Sequence, residues 1–117
     1  MDFEEAREAL TEMADSLPSE IFRELNGGII LVPDAQRDAH GLFIMGRYHF
    51  DPRGLGRYIT IYHGSFMELY AYSPHEVFRE KLREVLHHEL VHHIEHLAGD
   101  KSLEVQDEID KARMLGF

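Results

Sequence analysis

The sequence predicts a single α+β domain in which helices pack on a small sheet. Three observations carry this: apolar residues at helical spacing near the N-terminus, short β-rich runs bounded by turn residues in the middle, and a long helical pattern with its own start signal in the last third. A length of 117 residues suits one modest core and is too short for two. No internal repeat, low-complexity tract or linker interrupts the chain.

From Asp2 to about Leu17, the residues Phe3, Ala6, Leu10, Met13 and Leu17 repeat as one face of an amphipathic helix. Pro18 starts a second, shorter helix through Ile21, Phe22 and Leu25, which Asn26-Gly27-Gly28 ends. Ile29 to Val32 is a β-branched run stopped by Pro33-Asp34, the signature of a buried strand. Gly41 to Phe50 and Arg57 to Tyr62 read as two more strands. The turn residues Asp51-Pro52-Arg53-Gly54 between them favour a hairpin. Gly64 breaks the last of these strands, and Ser65 to Tyr72 fits a short helical turn.

Ser73-Pro74-His75-Glu76 then offers a capping box, with Ser at the N-cap and Pro at the first helical position. The helix it opens runs through Phe78, Leu82, Val85, Leu86, Leu90 and Leu97 to Gly99-Asp100. An amphipathic segment from about Leu103 to Leu115 supplies a short C-terminal helix.

Composition narrows the function. Hydrophobic content of 44% with 29% charged residues is ordinary for a globular protein. Twelve basic against 22 acidic residues leave a net charge of −10, which repels phosphate backbones and anionic membranes and argues against nucleic-acid or membrane partners. Cysteine is absent, so disulfides and thiolate metal sites are excluded, and a metal would have to use His and carboxylate. The first 25 residues hold no apolar run of the signal-peptide or membrane-span kind, so a cytoplasmic location is expected.

Within the long helix, His88-Glu89-Leu90-Val91-His92 spells His-Glu-x-x-His. Two imidazoles four apart on a helix project from one face, close enough to bind one Zn²⁺, and the intervening Glu can act as general base toward metal-bound water. On a helical wheel Leu82, Leu86, Leu90 and Leu97 form an apolar arc; Glu89 lies at its edge, with His88 and His92 just beyond. His93 falls inside the arc and is expected to be a buried, hydrogen-bonded imidazole. His87 falls on the opposite side and is expected to be solvated. His96 continues the column of His88 and His92, but each step of four residues climbs about 6 Å, too far for one ion to span three turns. A third ligand must come from beyond Gly99, where Asp100, Glu104, Asp107 and Glu108 are the candidates.

The segment His88-Glu-Leu-Val-His-His-Ile-Glu-His-Leu-Ala-Gly99 resembles the active-site helix of the minimal zincins, small bacterial proteins described as zinc metallopeptidase-like, whose motif reads His-Glu-x-x-His-His. The resemblance extends to Ser16-Leu17-Pro18, to the stretch from Leu55 to Phe66, and to the closing Leu115-Gly116-Phe117. It implies a small mixed sheet packed against the N-terminal helices and an active-site helix, followed by a helix carrying the remaining ligand. It further implies one Zn²⁺ per chain, held by His88, His92 and Asp107, with Glu104 second to Asp107. Glu89 would be the catalytic base of a metallopeptidase acting on a peptide or protein substrate. Tyr48, His49, Tyr62 and His63 are candidate donors to the oxyanion, and the strand from Arg57 to Tyr62 would align substrate in extended form. The helix runs on to Gly99 here, further than in some members. Two alternatives to a hydrolase stand beside it: a metal-binding but catalytically inactive regulatory or binding module, and a metal-free structural protein.

Overall fold

The computed structural model describes residues 1–100. The helix expected from Leu103 to Leu115, and with it Glu104, Asp107 and Glu108, lies outside the described residues. In chain order the elements are α1 (Phe3–Asp15), a 3₁₀ turn (Ser19–Phe22), β1 (Gly28–Val32), β2 (Gln36–Arg37), β3 (Phe43–Ile44), β4 (Gly46–Asp51), β5 (Gly56–Tyr62), α2 (His63–Tyr70) and α3 (His75–Asp100). The α+β class is as expected.

α1 opens on a capping box: the Asp2 carboxylate accepts from the Glu5 amide at 2.8 Å, and the Glu5 carboxylate accepts from the Asp2 amide at 2.9 Å. Its buried face is Ala6, Ala9, Leu10 and Met13, a spacing that turns one stripe onto the core. The second helix is a single 3₁₀ turn that buries Ile21.

Among the described residues three strands form the main sheet, in the order β1-β5-β4. β5 is central, parallel to β1 (Ile29 opposite Ile59) and antiparallel to β4 (Tyr48 opposite Ile59). Covered on both faces, its residues Ile59, Thr60, Ile61 and Tyr62 are all buried, so polar-out alternation is lost. The β4–β5 hairpin closes as its turn residues require. The Gly54 amide donates to the Asp51 carbonyl at 3.2 Å, and Asp51 faces Gly56 across the strands.

The expected strand from Gly41 to Phe50 is two strands on two sheets. β3 pairs with β2, a strand of two exposed polar residues that no β-rich run announces, and β4 pairs with β5. The cause is a tight turn before β3: the Asp38 carboxylate accepts from the amides of His40 (2.8 Å) and Leu42 (3.0 Å), folding the chain back on β2.

α3 lays Phe78, Leu82, Leu86, Leu90, Ile94 and Leu97 into the core, each essentially inaccessible. Burying each such side chain contributes about 1.5–3 kcal/mol relative to leaving it exposed. The helix begins one residue later than expected, with the Pro74 carbonyl accepting from the Phe78 amide at 3.1 Å. His87 is buried, contrary to expectation. Ile94 and the half-buried Val91 sit two turns and one turn along from it and widen the covered arc to its side. No helix among the described residues is long and apolar enough to cross a membrane.

Candidate metal and catalytic site

The second half of α3 brings His88, Glu89 and His92 together. The Nε2 atoms of His88 and His92 lie 3.0 Å apart, their rings edge-on with centroids 4.5 Å apart. Both imidazoles are open to solvent, whereas Glu89 is only 6% exposed. Helical geometry explains the split: a step of one residue turns about 100°, which rotates Glu89 inward from His88 toward β4. There it meets Gly46, where an added Cβ would lie 2.7 Å from Val85 Cγ1 and 3.3 Å from Glu89 Cγ. The strand can pass this close to the helix because position 46 carries no side chain.

Gly46, Arg47, Tyr48, Glu89, His92 and Glu95, together with His96, line a cavity of about 580 Å³. Burial pushes the Glu89 carboxyl above its ordinary range, while His88 and His92, when charged, pull it back down. A carboxyl raised in this way holds a proton more readily than an exposed one, the direction a general base needs.

The donor set can be tested against zinc. Two imidazole nitrogens 3.0 Å apart can both meet one ion at the usual Zn–N distance of about 2.0–2.1 Å, with an angle of about 95° between the bonds. The pair therefore fits as two ligands. Among the described residues no group of three His, Asp or Glu side chains is placed to hold a metal. Asp107 and Glu104 fall outside the described residues.

The expected oxyanion donors separate. Tyr48 lines the cavity, but its hydroxyl lies 2.7 Å from His93 Nδ1. His49 projects to the other face of β4 and stacks on Tyr58, ring centroids 4.4 Å apart. Tyr62 and His63 do not line the cavity; His63 donates to the Met1 carbonyl at 3.1 Å and packs on Phe3 and Phe78. The strand expected to align substrate is also corrected. β5 is paired on both sides and has no edge to offer; among the described strands of this sheet, the edge beside α3 belongs to β4. Gly46 went unnoticed as a site residue, although an isolated glycine inside a strand pattern is itself a signal of close approach.

Buried histidines make stability pH-dependent in the metal-free protein. Burial is the main cause that holds His93, His87 and His49 below the ordinary imidazole value of 6.5. The unfolded chain then takes up protons first as pH drops below about 6.5, so stability is present above that value and lost on acidification. Glu89 acts in the opposite sense, its folded value lying above 4.5. The ordinary imidazole value of 6.5 lies inside the interval from pH 7.5 to pH 5.5 and the ordinary carboxyl value of 4.5 lies below it, so the melting temperature should fall across that interval. A flat or rising profile by differential scanning fluorimetry would contradict this.

Compared with solved structures, the fold is similar to that of a conserved hypothetical protein from Thermus thermophilus. The two share 28% sequence identity at a TM-score of 0.73, over 86% of this chain and the whole of the other. No family model matches the sequence, and no curated protein does.

Proposed function

We propose that this protein is a zinc-dependent peptidase of the minimal zincin type, with His88 and His92 as metal ligands, Asp107 as the third, and Glu89 as the catalytic base. The observation that carries the reading is the 3.0 Å pair of Nε2 atoms flanking a buried carboxylate beside the edge strand β4. Zinc held there supplies Lewis acidity and lowers the pKa of water to about 7. Glu89 takes the proton of the attacking water and returns it to the departing amine. β4, at the edge of the sheet among the described strands, would take an extended peptide as an added strand, which then lies along the cavity that Glu89 and His92 line.

The test is metal content by mass spectrometry after zinc exposure and exhaustive buffer exchange. Wild type should retain about one zinc per chain, as a three-ligand site of this class does. His88→Ala and Asp107→Ala should each lose it. Wild-type protein that keeps no zinc removes the hydrolase reading.

A further inference from the structure

His93 follows directly on the second proposed ligand, yet it faces away from the metal position and is wholly buried. Its two ring nitrogens reach in different directions. Nε2 donates to the Arg23 carbonyl at 2.7 Å, and Nδ1 accepts from the Tyr48 hydroxyl at 2.7 Å. With Nε2–H directed at a carbonyl, Nδ1 is the acceptor and the tyrosine must be the donor. One imidazole thus ties three separate parts of the chain together: the end of the 3₁₀ turn, α3 and the edge strand β4.

The carbonyl end of this chain of bonds is itself held in an uncommon conformation. Glu24, immediately after Arg23, has φ +60°, the one non-glycine residue with positive φ among those described. The left-handed region is disfavoured for a residue with a Cβ and persists where surrounding structure demands it. Here it turns the chain sharply between Arg23 and the buried Leu25, and the Arg23 carbonyl remains aimed at His93.

At the other end, Tyr48 sits two residues along β4 from Gly46, on the same face, and lines the cavity with Glu89 and His92. Its ring also contacts His93 and His96, with centroids 5.4 and 5.7 Å away. The strand is therefore fastened to α3 one helical turn beyond Glu89. Steric contact at Gly46 sets how near the strand can come, and the Tyr48–His93 bond sets how far it can leave.

From this we infer that His93 and Tyr48 are positioning residues: the Arg23–His93–Tyr48 relay fixes the gap between edge strand β4 and the helix that carries Glu89, and with it the seat of an extended substrate. The inference rests on the peptidase reading above. Neither residue is assigned a role in chemistry.

The six residues of β4 span about 20 Å at the usual strand rise, so a peptide of about six or more residues can engage the whole strand and one of about three engages only half of it. The experiment uses zinc-loaded full chain and internally quenched peptide libraries of these two lengths. Tyr48→Phe keeps the ring and removes the donor. It should raise KM for the long peptides about five- to tenfold, within the roughly two- to thirteenfold that a lost neutral hydrogen bond covers. Its kcat should stay within about twofold, its zinc content should be unchanged, and its effect on short peptides should be under about twofold by the same measure. His93→Gln, whose amide still reaches for the Arg23 carbonyl, should give a smaller effect of the same kind. The double variant should lose clearly less than the sum of the two, because both act through one network. Equal losses on long and short peptides, lost zinc, or no change at all would overturn the inference. Wild-type protein that binds zinc and cleaves neither length defeats the peptidase reading and this one with it, and that outcome is seen before any variant is made.

Discussion

Glu89→Gln is expected to lower peptide cleavage by about 10²- to 10⁴-fold, the range that a positioned general base contributes, while zinc uptake stays at the wild-type level. The substitution is nearly isosteric, so the packing of the side chain under Gly46 is kept. His88 and His92 are untouched, and their Nε2 pair remains available to metal. What changes is proton affinity: an amide cannot take the proton that a carboxylate can. Burial suits the wild-type residue to the proposed task, because it raises the proton affinity of the carboxyl above that of an exposed glutamate. The assay is turnover of quenched peptides with metal content measured on the same samples. Retained zinc with undiminished cleavage would transfer the role of base to another group, and Glu95 lines the same cavity. Retained zinc with no cleavage in wild type would support a metal-binding module without turnover.

What was legible in the sequence follows a physical rule: features set by local periodicity could be read, and features set by distant partners could not. α1 and α3 announce themselves through spacing, and the wheel placed Glu89 at the edge of the core and His93 within it. The hairpin at Asp51 to Gly54 was equally plain, since turn chemistry is local. The order of strands was not. Only the parallel pairing of β1 with β5, across an intervening stretch that contains two further strands and half of a hairpin, makes β5 central and leaves β4 at the edge. His87 turns to the core, against its position opposite the leucine arc, because Ile94 and Val91 extend the covered face to its side. The third ligand proposed by resemblance, Asp107, stands outside the described residues.

Gly64→Ala is the second large effect expected, and it falls on stability. The sequence suggests a simple reason for glycine there, the end of a strand, and the structure gives a different one. A Cβ at position 64 would lie 2.5 Å from the Pro33 carbonyl oxygen, 2.6 Å from the Asp34 carbonyl carbon and 2.6 Å from the Ala35 amide nitrogen. All three are backbone atoms, so no side chain can rotate away. The same segment is held from both sides: the Gly64 amide donates to the Asp34 carbonyl at 3.1 Å, and the buried Ser65 hydroxyl accepts from the Gln36 amide at 3.0 Å. Making room for a methyl group therefore means moving the chain that leads from β1 to β2, or the start of α2 with Phe66 beneath it. The cost should reach about 3 kcal/mol, the upper end of ordinary overpacking, a large share of the roughly 5–15 kcal/mol that holds a domain together. For a domain of this size that corresponds to a fall in Tm of about 12 °C. Urea unfolding should show a lower midpoint with an unchanged m-value, since the surface exposed on unfolding is the same. A midpoint equal to that of wild type would mean that residues 33–35 yield freely, and that the strand end was the whole reason for the glycine.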